Sequence, residues 1–93
     1  MEYKIVWVPL AVETYMEEID FIFLKWNQKE VDTFVMLVDE NLKRLSINPL
    51  IGQIYKNVYK IVISKQTLLF YNIIEKDKKV ELVYFWNNKK DSQ

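Results

Sequence analysis

The 93-residue sequence contains no cysteine and no histidine, and it has only one glycine and two prolines. Without thiols there can be no disulfide framework, no Cys-ligated zinc and no thiol nucleophile. Without imidazole there is no Ser-His-Asp or Cys-His arrangement. A single glycine cannot build a phosphate-cradling Gly-rich loop. So little glycine and proline also excludes a fibrous or loop-built chain. No uninterrupted apolar run approaches the length of a membrane span, so no membrane partner is expected. Met1-Glu2 opens without a basic region, and Glu13, Glu17 and Glu18 interrupt any early apolar stretch, so no signal peptide is expected either. A folded chain without disulfides suits a reducing compartment. These absences lead to the expectation of one soluble, cytoplasmic domain over residues 1–93, with no metal and no cofactor.

Hydrophobic residues make up 51% of the chain, among them three Trp, six Tyr and five Phe, which excludes a disordered chain. Net charge is zero, yet the charges are segregated. Residues 1–40 carry three basic and nine acidic groups, a balance of −6, and residues 41–93 carry ten basic and four acidic groups, a balance of +6. No acid occurs between Asn41 and Ile74. Segregation of this kind either steers a partner or solvates two different surfaces.

Lys4 to Val8 is β-branched and aromatic and is closed by Pro9, which predicts a first strand. Thereafter Val12, Tyr15, Met16, Ile19, Ile22, Phe23 and Trp26 recur at helical spacing, with Pro9 suited to the first turn. Phe21 falls about 200° from Ile19, off the stripe, as a flank of the core or a docking point. Asn27 followed by Glu30 approximates a capping box and predicts a second helix with the stripe Val31, Phe34, Val35, Val38, Leu42 and Leu45. Asn48-Pro49 and Gly52 end that helix. Val58 to Ser64, Leu68 to Ile74 and Val80 to Trp86 read as three strands separated by polar turns. The expected fold class is α+β in the order β-α-α-β-β-β. An antiparallel helix hairpin covers one face of a mainly antiparallel four-stranded sheet, and the first and second strands run in opposite directions.

Carboxylates cluster on the expected polar helix faces, where solvation explains them better than a metal site. The constellation with chemical potential is basic and aromatic: Lys56, Tyr59, Lys60 and Lys65 around the second strand, with Tyr84, Lys89 and Lys90 at the end of the fourth. If those strands approach one another, ammonium groups contact phosphates and aromatic faces stack on bases. The same groups would support RNA cleavage by stabilising charge in a phosphorane-like transition state. Alternatively, the tyrosines pack in the sheet and the lysines keep it soluble.

The order of elements, together with Pro9-Leu10-Ala11, Trp26, the run from Leu42 to Gly52, Val58 to Ile63, Leu69 to Ile73 and Phe85 to Lys90, resembles the RelE/ParE superfamily of toxins of type II toxin–antitoxin modules. The ending Phe85-Trp86-Asn87-Asn88-Lys89-Lys90 is similar to the ParE-like, plasmid-stabilisation branch. The resemblance implies a toxin neutralised by a cognate antitoxin protein, acting either by binding DNA gyrase or by cleaving ribosome-bound mRNA. On the second alternative it implies Lys60 and Lys89, or Lys90 in its place, as catalytic groups, and the basic-aromatic constellation adds Tyr84 to them, with Lys56, Tyr59, Lys65 and Lys90 binding the target. Lysines replace the arginines of the RelE-like pattern, so planar bidentate phosphate contact is lost. The family's terminal tyrosine has no counterpart in Asp91-Ser92-Gln93. These departures favour the gyrase-binding mode, with message cleavage or an inactive homologue that binds only antitoxin as the alternatives. Phe21 is the expected antitoxin contact.

Overall fold

A computed structural model describes residues 2–89. β1 (Lys4–Trp7) leads into α1 (Pro9–Lys25) and α2 (Gln28–Ile47), and a short 3-10 turn at Pro49–Ile51 precedes β2 (Gln53–Tyr55), β3 (Val58–Val62), β4 (Thr67–Ile74) and β5 (Lys79–Asn87). The five strands form one sheet in the order β1-β5-β4-β3-β2, parallel only where β1 meets β5. The α+β class and the helix hairpin on one sheet face match the sequence expectation.

Two expectations about the strands need correction. The sheet has a fifth strand, β2, too short and too exposed to stand out in the sequence. It closes on β3 through the two-residue turn Lys56-Asn57, with Lys56 left-handed at φ 57°. Such turns are usually announced by glycine, and here none is present. The helix hairpin does return the chain to the end it left, so β2 opposes β1. The Val58 strand comes one hairpin later and therefore runs in the same direction as β1. Nor do β3 and β5 adjoin, because β4 lies between them.

Helix α2 starts as its sequence signals: the Asn27 side chain accepts from the Glu30 N–H at 3.0 Å. Val31, Phe34, Val38 and Leu45 are buried, whereas Val35 is exposed. Helix α1 is rotated from its expected orientation. Its inward line is Ala11, Tyr15, Glu18 and Ile22 with Ile19 beside it, Tyr15 and Ile19 being partly covered, while Val12, Met16 and Phe23, and Trp26 just past the helix, are exposed. The fully buried Ala11 lets the helix backbone approach the sheet closely, and that choice of face is a tertiary one.

Glu18 is the acid that escapes the solvated-helix expectation, being only 3% exposed. Its carboxylate accepts from the Thr67 hydroxyl and, at 2.7 Å, from the Asn87 amide. One turn earlier, Thr14 Oγ1 accepts the Phe85 N–H at 2.9 Å. Both side chains of α1 thus grip the end of β5. The core between the layers centres on Leu69, Tyr71, Val80, Leu82 and Phe85 from the sheet and Ile22, Phe34, Val38 and Leu45 from the helices.

Candidate functional site

Strand alternation sends Leu69 and Tyr71 of β4 toward the helices and Phe70 to the opposite, uncovered face. Register then aligns Gln53, Lys60, Phe70 and Tyr84 in one row across β2, β3, β4 and β5. A register irregularity beside Phe70 leaves Val83 unpaired, so Tyr84 pairs with Phe70 while Leu82 pairs with Tyr71. Without that bulge, strict alternation would send Phe85 to the opposite face from Val80 and Leu82, and all three are in the core.

The rings on this face form a continuous stack. Phe70 and Tyr84 lie 4.7 Å apart and 15° from parallel, and Tyr55 tilts onto the other side of Phe70 at 5.8 Å. Phe70 is buried without belonging to the main core, because these two rings cover it. Lys60 places its ammonium 4.7 Å from the Tyr55 ring centroid, and Lys56 lies 5.5 Å from the same ring. The result is an aromatic platform with two cations at one end. Tyr55 and Phe70 were not singled out in the sequence. Period-two counting along β4 would have marked Phe70, whereas Tyr55 needed the unrecognised strand β2.

The other expected site residues scatter. Tyr59 points the opposite way from Lys60, stacking on buried Tyr71 at 5.6 Å within the helix-facing core. Lys65 and Lys89 instead line a cavity with Trp26 and Phe34 of the helical layer. Lys89 is held there by its own backbone, whose N–H donates to Asn87 Oδ1 at 2.8 Å. Phe21 is partly buried against the core and meets Trp26 edge-on at 6.3 Å. Lys90 lies outside the described residues. Of the expected catalytic set, Lys60 and Tyr84 therefore share a face, and Lys89 does not join them.

Among the described residues no cluster of three or more acids is placed to hold a metal ion. No helix there is long and apolar enough to cross a membrane.

The fold is that of the RelE/YoeB/ParE-type toxins. No protein-family model matches the sequence, and no curated protein does. Among solved structures, the chain resembles the toxin–antitoxin complex RelBE2 from Mycobacterium tuberculosis with a TM-score of 0.68 at 14% identity, covering 94% of this chain and 99% of that one. It resembles a YoeB/ParE toxin from Agrobacterium tumefaciens with the same TM-score and identity, over 90% of this chain and 96% of that one. A RelE toxin double mutant from E. coli in the free state superposes with a TM-score of 0.66 at 16% identity, over 98% and 88% of the two chains.

Proposed function

We propose that this chain is the toxin of a toxin–antitoxin pair, working in the cytoplasm, and that its working surface is the uncovered sheet face acting on single-stranded RNA at the ribosome. The supporting observation is the Tyr55–Phe70–Tyr84 stack with Lys60 set beside it. Aromatic faces accept any base, and an adjacent ammonium neutralises the phosphate between bases. On this reading cleavage proceeds by attack of a ribose 2′-oxygen on its own 3′-phosphate. The 2′-hydroxyl loses its proton, a 2′,3′-cyclic phosphate forms, and the 5′-oxygen leaves with a proton. Lys60 stabilises the negative charge that grows on the phosphoryl oxygens, and the Tyr84 phenol is the proton-handling group of the same face. Phe21 is the proposed antitoxin contact.

Induced expression followed by mapping of RNA ends and pulse labelling tests the proposal. Cut messages and early loss of protein synthesis are expected, and Lys60→Ala is expected to relieve toxicity where Lys76→Ala, in the β4–β5 turn, does not. Among the described residues the cations against the platform's Tyr55 ring are Lys56 and Lys60, so the slope of log affinity for single-stranded RNA against log salt should be shallow, about −1.4 for two phosphate contacts. Tyr84→Ala should weaken that binding by about 1–3 kcal/mol.

A second reading, gyrase binding, is favoured by the small number of cations and by Glu81, which pairs with Asn72 in the same sheet. Early arrest of DNA synthesis with intact messages would select it. Induction without any growth loss would select an inactive homologue that binds only its antitoxin.

A further inference from the structure

At the loop end of the helix hairpin, where α1 passes into α2, the structure contains a cavity of about 370 Å³. Its apolar lining comes from Ile22 of α1, Trp26 at the end of that helix, and Phe34 and Leu37 of α2, and its far wall is the β3–β4 turn with Lys65, together with Lys89 just after β5. We propose that this cavity is a docking pocket for a short acidic peptide segment carrying one large apolar side chain, supplied by a partner protein.

Three observations carry the choice of occupant. First, Ile22, Trp26, Phe34 and Leu37 give the helical side of the lining an aliphatic and aromatic wall, suited to a hydrocarbon or phenyl group. Second, the rim is cationic. Lys65 and Lys89 line it, and the ammonium groups of Lys25 and Lys89 stand 5.6 and 5.8 Å from the Trp26 ring, with Glu30 as the one acid of the lining. A guest with carboxylates beside its apolar anchor complements that balance. Third, Ser64, in the same wall, carries the one buried side-chain polar atom among the described residues that lacks a hydrogen-bond partner. A buried hydroxyl without a partner costs free energy that a peptide carbonyl or amide would recover after a rotamer change. Trp26 itself is 41% exposed, a large ring left at the mouth with cations on it, which is the kind of residue that anchors interfaces.

The inference also accounts for Lys89, which the resemblance assigns to catalysis and the fold assigns to this rim. It does not rest on RNA cleavage, since Lys60 and the sheet face take no part.

Calorimetric titration of the full chain with the blocked pentapeptide Glu-Asp-Phe-Glu-Asp tests it, alongside a peptide with serine in place of phenylalanine and one with lysines in place of the acids. The acidic phenylalanine peptide is expected to bind and both controls to fail. The double variant Lys65→Glu/Lys89→Glu should weaken binding about tenfold, equivalent to about 1.4 kcal/mol. Thr33→Trp, an exposed helix position at the mouth, should block it, and Lys60→Ala should leave it unchanged. Circular dichroism checks that each variant folds; if Thr33→Trp does not, the charge-reversal variant decides alone. Absence of binding, equal binding of the basic peptide, binding that survives the charge reversal, or tighter binding of a single-stranded RNA through the same lysines would each overturn the proposal. So would sedimentation showing that the cavity is filled by a second copy of this chain, with Thr33→Trp dissociating the pair.

Discussion

Gly52 and Tyr71 hold the corner at which the helical layer gives way to the sheet. The buried Tyr71 phenol donates to the Pro49 carbonyl at 2.6 Å and accepts the Gly52 N–H at 3.1 Å. Gly52 has an ordinary extended backbone, so its conformational freedom is not the point. A β-carbon there would press on the Tyr71 phenol and lie 2.7 Å from the Lys60 carbonyl. The single glycine of the chain is thus a matter of room, and it sits directly behind the backbone that carries Lys60. Gly52→Ala is expected to destabilise by about 1–3 kcal/mol through overpacking. Tyr71→Phe should cost a similar amount, about 1–3 kcal/mol, because the buried Pro49 carbonyl and Gly52 N–H lose their partner. Urea unfolding midpoints measure both. Glu18 belongs to the same scale: a carboxylate inside the fold with hydroxyl and amide donors satisfying it, invisible to a pattern that counts charges as solvated.

Among the elements, the helices differ in how much of their start is local. Helix α2 begins on Asn27, whose side chain satisfies an otherwise orphaned N–H. Asn27→Ala should therefore lower stability by about 0.5–2 kcal/mol and Asn27→Gly by only a few tenths, as read from thermal unfolding. Helix α1 has Val8 at its cap position and no side-chain cap, so it depends on Pro9 and on packing against β5. That dependence explains why its apolar spacing misled. Of the expected stripe, Tyr15, Ile19 and Ile22 do pack inward, whereas Val12, Met16 and Phe23 satisfy the helical period equally well, and only the close approach to β5 centres the buried side on Ala11 instead of them. The short β2 hairpin failed to register for a related reason: its three residues are exposed, and its pairing with β3 is its whole identity as a strand.

Among the described residues, acids concentrate on the helical layer and lysines on the sheet and its turns, so the segregation by sequence half becomes largely a segregation by layer. Stability should depend on pH mainly at the alkaline end. Burial pushes the Tyr71 and Tyr15 phenols above the ordinary range, Tyr15 also through the nearby Asp39 carboxylate. A group whose folded value is raised stabilises fully below its unfolded value, near pH 10, and that contribution is lost as pH rises through the folded value. The urea midpoint should thus fall above about pH 10, and Tyr71→Phe should flatten the fall. At the surface, hydrogen bonds from Lys78 and then Tyr3 hold the Glu75 carboxyl below its usual range. Its contribution exists above the unfolded value and disappears as acid protonates it, so Glu75→Gln should remove a small part of the acid limb. Full exposure keeps that part small.

The sequence by itself determined the helix hairpin, the Asn27 start of α2, the three long strands and the positions where lysines and aromatics crowd. Those features follow from spacing and caps, which act between residues a few positions apart. Tertiary structure alone decided which face of α1 is buried, that β4 separates β3 from β5, and that Lys60 joins Tyr84 while Tyr59 and Lys89 turn away. Pairing partners and sheet faces are set by contacts between residues far apart in the chain, and a shift of one residue, such as the bulge at Val83, reverses every side chain beyond it.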